Sequence, residues 1–95
     1  MLWGPLVHAL ERLWFTAADW APQRREGGLL VLARRAAFPS GAKFCFVSRA
    51  AGRVGRLEVA HGALSWTFWV VHNYGLSASQ IAHAAHACGP SGSWQ

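Results

Sequence analysis

The residue of this chain best placed to take part in chemistry is His72. It follows a run of aromatic and β-branched residues and stands beside Asn73 at the start of a Tyr-Gly loop. Histidine changes its protonation state near neutral pH, so it can act as an acid, a base or a metal ligand. A polar pair at the end of a buried strand is a frequent place for catalysis. It is also a frequent beginning of an ordinary loop.

Metal binding is the first alternative role for the histidines. His83 and His86 are spaced three residues apart, with Cys88 close behind. A zinc site needs further ligands from elsewhere in the chain, and only His72 is a candidate. We therefore interpret His83 and His86 as polar residues of an Ala-rich helix. His8 and His61 are expected on a helix surface and in a turn.

Carboxylates are scarce, because the chain has only four acidic residues, Glu11, Asp19, Glu26 and Glu58. A magnesium site made of several carboxylates cannot be assembled convincingly from them. The sequence has no nucleophile elbow, Walker loop or dinucleotide fingerprint. Its Gly27-Gly28 pair opens a predicted strand and is not followed by a helix, so it is not a phosphate-binding loop.

A β-hairpin is the element that must position His72. Two apolar-rich arms flank a turn at Ala60–Ala63, and in the first arm Leu57 and Val59 alternate with charged residues. In the second arm one face carries Leu64, Trp66, Phe68 and Val70, followed by His72. The other face carries Ser65, Thr67, Trp69 and Val71 and becomes apolar towards its end. Such a strand is expected inside a layered α/β fold.

The remaining pattern predicts a helix at each end of the chain and further strands between them. We expect a helix from Pro5 to Ala17, an exposed loop over 19–26, a strand buried on both faces after Gly28, a turn over 38–41 and a short strand over 43–48. Ser77 and Gln80 form a capping box for a last helix that ends at Gly89-Pro90. This order predicts an α/β or α+β fold, divided into 1–26 (helix and loop), 27–88 (main segment) and 89–95 (frayed tail).

Composition restricts the classes of protein. The 95 residues suffice for one small domain. Hydrophobic residues make up 53% of the chain, and six residues are Trp, more than a small domain can easily bury. This excess of Trp predicts an apolar surface covered by a missing part of the domain or by a partner chain. A net charge of +5 favours phosphate-bearing partners such as nucleic acid without selecting among them, although solvated arginines are the simpler explanation.

Cellular location is inferred from cysteine use and hydropathy. Cys45 and Cys88 match no disulfide framework or zinc spacing, which argues for a reducing compartment or for simple packing. The amino terminus is a poor signal peptide, and the longest apolar run, Ala63 to Val71, is too short to span a bilayer. We expect an intracellular protein without a membrane partner; the sequence does not distinguish nucleus from cytoplasm.

The segments GGLLVLARRAAFP, GRVGRLEV and WTFWVVHNYGLS, in this order, resemble the endonuclease/exonuclease/phosphatase superfamily, the fold of deoxyribonuclease I and of retroelement endonucleases. The resemblance covers about Gly27 to Ala87. It implies part of a four-layer α/β sandwich with largely antiparallel strands, here flanked by one helix at each end. It also implies a Mg²⁺-dependent hydrolase of nucleic-acid phosphodiesters, in which His72 matches a catalytic histidine near the scissile phosphate. Arg53, in the Gly-Arg segment, is a weaker candidate for phosphate contact.

Departures from the family pattern argue against activity of this chain alone. Val70 stands where members often have Asn, and Glu11 does not match the metal-binding carboxylate. The later Gly-Asp-x-Asn and Ser-Asp-His motifs do not occur in the sequence. We therefore predict a partial, inactive nuclease-like domain. The alternatives are a small basic nucleic-acid-binding or interaction protein without catalysis, and an open reading frame without function.

Overall fold

The protein has a mixed α+β fold built from antiparallel strands. A computed structural model describes residues 12–23, 28–72, 75–89 and 94–95. The elements are β1 (Trp14–Asp19), β2 (Leu29–Arg34), β3 (Lys43–Arg49), β4 (Val54–His61), β5 (Leu64–Val71) and helix α1 (Ala78–Ala87), with a 3₁₀ turn at Arg35–Ala37. β1 and β2 form a two-stranded sheet, and β3, β4 and β5 form a three-stranded sheet in sequence order. The coarse α+β prediction is confirmed.

The main core lies between the two sheets. Its buried residues are Phe15, Val31 and Ala33 from the two-stranded sheet and Phe44, Leu57 and Val59 from the three-stranded sheet. The rings of Phe15 and Phe44 stack with centroids 5.1 Å apart. Gly55 leaves room for the opposite sheet, since a Cβ there would be 2.9 Å from Leu29 Cδ1. Alternating apolar residues on each strand therefore bind the two sheets face to face.

Helix α1 packs on the opposite face of the three-stranded sheet. A second buried cluster contains Cys45, Val47, Val54, Ala84 and Cys88. The predicted capping box is present, because Ser77 Oγ accepts from the Gln80 N–H and the Ser77 N–H donates to Gln80 Oε1. At the other end of α1, Arg56 Nη2 donates to the Gly89 carbonyl at 2.9 Å. Both cysteines are free and buried, which agrees with a packing role.

The predicted hairpin and the strand before it are confirmed. β4 and β5 pair antiparallel from Val54↔Val71 to His61↔Leu64, so the connection is Gly62-Ala63. Gly62 has φ of 59°, a left-handed conformation that glycine adopts without the usual steric cost. β3 occupies almost the range predicted for the short strand. The turn before it is closed by a hydrogen bond from the Ala42 N–H to the Pro39 carbonyl.

The helix predicted from Pro5 to Ala17 is wrong over its last residues. Arg12 and Leu13 are helical, but Trp14 to Ala17 belong to β1, and residues 1–11 lie outside the described part. The helical spacing ends at Trp14, after which Phe15 and Ala17 alternate with polar or exposed positions. Pairing of β1 with all six residues of β2, together with the stack on Phe44, outweighs the local helical pattern.

Two strands expected to be buried on both faces are not. β2 alternates buried and exposed residues, with Leu30 67% and Leu32 58% exposed. β5 is an edge strand in the described sheet, and both of its faces remain largely accessible. Each prediction took an apolar run as evidence of two covering layers, but one layer covers β2, and β5 is only partly covered, at Trp66 and Val70.

The tail that was expected to fray is held at its last residue. Gln95 and Phe44 exchange two backbone hydrogen bonds of 2.7 and 2.8 Å. Of the seven tail residues, Gly89 and 94–95 are described and 90–93 are not. Among the described residues, no helix is long and apolar enough to cross a bilayer.

Candidate functional site at the strand ends

Three segments that are distant in sequence meet at one end of the two sheets. The Gly28 N–H donates to the Gly52 carbonyl at 2.8 Å, and the His72 N–H donates to the Arg53 carbonyl at 2.8 Å. Gly28 precedes β2, Gly52 and Arg53 precede β4, and His72 follows β5. The second glycine of the Gly-Gly pair, the Gly-Arg pair and the strand-end histidine therefore form one junction.

The loop before β4 has an unusual backbone. Ala50, Ala51 and Gly52 have φ values of 58°, 53° and 75°, so three successive residues are left-handed. A Cβ at Gly52 would lie 2.7 Å from the Asp19 carbonyl oxygen and 2.9 Å from the Gly28 nitrogen. Only a glycine permits this approach, because any larger residue would push the loop away from the two-stranded sheet. Left-handed alanines store strain, a feature often found at functional loops.

A carboxylate also reaches this junction. Ser48 Oγ donates to Asp19 Oδ2 at 2.5 Å, which links the end of β1 to β3 across the two sheets. A short bond between a hydroxyl and an ionised carboxylate is stronger than a neutral one. Asp19 was expected at the start of an exposed loop, so this contact was missed. The sequence feature that could have indicated a structural role for Asp19 is its position as a polar residue directly after an alternating apolar pattern.

An open cavity of about 500 Å³ lies beside His72. It is lined by Ala18, Trp20, Gly28, Leu29, Leu30 and His72. The lining is mostly apolar, and Trp20, which directly follows β1, is 67% exposed. Sequence reasoning also missed Trp20. The sequence feature that could have drawn attention to Trp20 is its large aromatic side chain in a stretch otherwise typical of a solvated loop.

Arginines flank the loop that precedes β4, with Arg49 at the end of β3 and Arg53 directly before β4. Arg53 is half-buried and its Nη1 donates to the Ala50 carbonyl at 3.2 Å. Arg49 is exposed, and its Nη1 donates to the Ser48 carbonyl at 2.7 Å. Both bonds are to backbone oxygens of the same segment, and they orient the two guanidinium groups. Arg53 belongs to the junction, because its carbonyl accepts the His72 N–H, whereas Arg49 lines a separate cavity with residues of α1.

The other histidines considered in the sequence do not join this junction. His83 and His86 are exposed on α1, whereas Cys88 is buried, with its Sγ 3.8 Å from the Val47 carbonyl oxygen. Burial raises the pKa of the Cys88 thiol, and the positive charges of Arg49 and Arg56 oppose that rise. Within the described ranges, no group of three or more His, Cys, Asp or Glu residues could hold a metal ion.

The residues described at the junction do not fit the Mg²⁺ ion that the family resemblance implies. Asp19 is the one carboxylate described there, and it already accepts a hydrogen bond from Ser48. Glu58 lies in the middle of β4, and its Oε2 is 3.8 Å from Arg56 Nη2. Magnesium prefers several oxygen ligands in octahedral geometry, which this set does not provide.

The junction thus combines a histidine, an arginine, one carboxylate and an apolar cavity. No protein-family model, curated protein or solved structure matches the chain. Its function is therefore inferred from this arrangement and from the residues that carry the resemblance.

Proposed function

We propose that this chain is a partial endonuclease/exonuclease/phosphatase-like domain that binds nucleic-acid phosphate at the strand-end junction and does not hydrolyse it alone. One observation carries this proposal. The three segments on which the family resemblance rests meet through the bonds Gly28 N–H to Gly52 O and His72 N–H to Arg53 O. The first bond joins segments of different sheets, whereas the second continues the β4–β5 pairing one position beyond Val54↔Val71.

The layer arrangement supports the four-layer sandwich as the parent fold. Two sheets pack face to face, and α1 covers the outer side of one of them. A fourth layer would pack on the outer face of the two-stranded sheet, where Leu30 and Leu32 are exposed. The remainder of the parent domain or a partner chain would cover the apolar residues of β5. An intracellular location belongs to this proposal, since free buried thiols suit a reducing compartment.

Phosphate binding requires positive charge and hydrogen-bond donors, and the junction supplies both. Arg53 is the cationic residue of the junction, and its carbonyl accepts the N–H of His72, whose side chain is exposed. Hydrolysis requires more, because a group must polarise the phosphate and another must activate water. The described carboxylates do not assemble a metal site for that purpose. Binding without catalysis is therefore the expected property of this chain alone.

Binding is tested by fluorescence anisotropy of a labelled oligonucleotide at several salt concentrations. The key variant is Arg53→Ala, and the matched control is Lys43→Ala, which removes the same charge at the far end of β3. We expect Arg53→Ala to weaken binding more and to reduce the salt slope by about one. Equal effects of the two variants, or affinity independent of salt, would contradict phosphate binding at the junction.

Catalysis is tested separately with supercoiled plasmid and Mg²⁺. We expect no nicking by the purified chain. Nicking that disappears in His72→Ala, but persists in His83→Ala, would show that the chain is an active nuclease. The proposal that it does not hydrolyse nucleic acid alone would then be wrong.

A further inference from the structure

We infer that the cavity between α1 and the end of β3 binds a small monocarboxylate with an apolar body, whose carboxylate pairs with Arg49. This cavity shares no lining residue with the one beside His72, and the inference does not rest on the phosphate-binding role proposed above. The apolar wall of the cavity and the charge of Arg49 at its edge together select this class of ligand.

The cavity runs along one face of α1. Five of its lining residues lie on the helix and recur at helical spacing: Ser79, Gln80, His83, Ala84 and Ala87. Leu76 lines it from the segment before the helix, and Arg49 and Ala50 line it from the end of β3. Its volume of about 540 Å³ lies within the range of roughly 300–1,000 Å³ typical of small-ligand sites.

The wall of this cavity is apolar and consists mainly of small side chains. Ala84 is buried, Ala50 and Leu76 are half-buried, and Ala87 continues the same face of α1. Because three of these four residues are alanines, their side chains leave the space between α1 and the end of β3 open. An apolar ligand body that fills this space leaves water and is stabilised by the hydrophobic effect.

Arg49 supplies the charge that selects an anion. Its Nη1 donates to the Ser48 carbonyl, and within the described part of the chain it has no carboxylate partner. Burial raises the pKa of the Cys88 thiol, and the charge of Arg49 opposes that rise, so this charge acts at the end of α1. None of the described lining residues is acidic. A planar guanidinium pairs well with a carboxylate, so the site favours an anion over a neutral ligand.

The polar residues at the cavity also suit a carboxylate. Gln80 accepts the Ser77 N–H through Oε1, which leaves its amide nitrogen as a donor, and His83 is exposed beside it on α1. A neutral hydrocarbon would make no use of Arg49, and an inorganic anion would make no use of the apolar wall. A ligand that combines an apolar body with one carboxylate uses both.

The test is an NMR titration of the isotope-labelled chain with octanoate, octanamide and inorganic phosphate. We expect octanoate to cause saturable shifts of the amide signals of α1 and Ala50. Octanamide has the same body without the charge and should bind about tenfold more weakly, because the charge-assisted hydrogen bonds to Arg49 are lost. Inorganic phosphate lacks the apolar body and should cause no saturable shift over the same concentration range.

Two pairs of variants separate the charge from the cavity. Arg49→Gln should reduce the affinity for octanoate to that for octanamide, whereas Arg34→Gln removes an exposed charge that does not line the cavity and should change nothing. Ala87→Phe should block the cavity and abolish octanoate binding. Ala82→Phe adds the same ring at an exposed position of α1 outside the cavity and should leave binding intact.

The comparison of the three ligands uses the unaltered chain, so it remains decisive if a variant fails to fold. Absence of a saturable shift at α1, shifts confined to the exposed residues of β5, or equal affinities for octanoate and octanamide would overturn the carboxylate site. Phosphate binding as tight as octanoate binding would also overturn it, since the apolar wall would then contribute nothing.

Discussion

The backbone N–H of Gly28 donates a hydrogen bond of 2.8 Å to the carbonyl oxygen of Gly52, and this bond joins the two sheets at one end. Gly28 belongs to the two-stranded sheet, and Gly52 belongs to the loop that leads into β4. The next residue along that loop, Arg53, accepts the N–H of His72. One loop therefore connects the start of β2 to the histidine that follows β5.

The first prediction concerns the close approach at Gly52. Gly52→Ala should be strongly destabilising, because its φ of 75° is unfavourable for alanine and its Cβ would lie 2.7 Å from the Asp19 carbonyl oxygen. The conformation costs about 1–2 kcal/mol, and the overpacking costs a further ~1–3 kcal/mol. Chemical denaturation measures the free energy of unfolding.

The matched control for this variant is Gly62→Ala. Gly62 also has a positive φ of 59°, but nothing lies within 4 Å of its added Cβ. Only the conformational cost is expected there. Equal destabilisation by the two substitutions would mean that the contact between the loop and the two-stranded sheet is not close in solution.

The second prediction concerns the bond between Ser48 and Asp19. Ser48→Ala leaves a carboxylate without one of its donors at a partly buried position. Loss of a hydrogen bond to a charged group should lower the free energy of unfolding by about 1.5–3 kcal/mol. Ser65→Ala, at an exposed position of β5, should change it by less than about 0.5 kcal/mol. A negligible effect of Ser48→Ala would show that this bond does not hold the sheets together.

The third prediction is a pH dependence caused by Cys88. Burial raises the pKa of its thiol above the ordinary value of 9.0, so the folded chain keeps a proton that the unfolded chain loses. The resulting stability is fully present below pH 9 and is lost as the pH rises through the folded-state pKa, at most ~1.4 kcal/mol per pH unit. Denaturation curves at increasing pH measure this loss.

Cys88→Ala is the comparison that isolates the thiol from other groups that titrate in the same range. The variant should be less stable at neutral pH and should show a shallower decline above pH 9. Parallel declines in the two proteins would show that the Cys88 thiol ionises equally well in the folded chain.

The fourth prediction concerns self-association through β5. Its eight residues carry no charge and no proline, and Phe68 and Trp69 are exposed. An uncharged edge strand readily pairs with other chains. Thr67→Lys should therefore reduce concentration-dependent association in sedimentation experiments. Ser79→Lys adds the same charge on α1 and should have little effect on association. If both variants reduce association equally, the cause is the change in net charge and not the edge of β5.

Several elements could be predicted because their determinants lie within a few neighbouring residues. The hairpin depends on alternation around Gly62-Ala63, and the start of α1 depends on two side chains three residues apart, Ser77 and Gln80. The position of His72 directly after a strand follows from the same alternation. Local backbone preference and side-chain capping act over short distances, so they can be read without knowledge of the tertiary fold.

The sequence by itself determined the hairpin, the capped helix and the strand-end placement of His72. Tertiary structure decided that Trp14 to Ala17 form a strand, that β2 has one covered face while β5 is only partly covered, and that Asp19 and Trp20 belong to the site. These outcomes depend on pairing and packing between segments far apart in the chain, such as Phe15 on Phe44 and Gly28 on Gly52. An apolar run indicates that a strand can be buried, but only the packing of the layers determines which of its faces is covered.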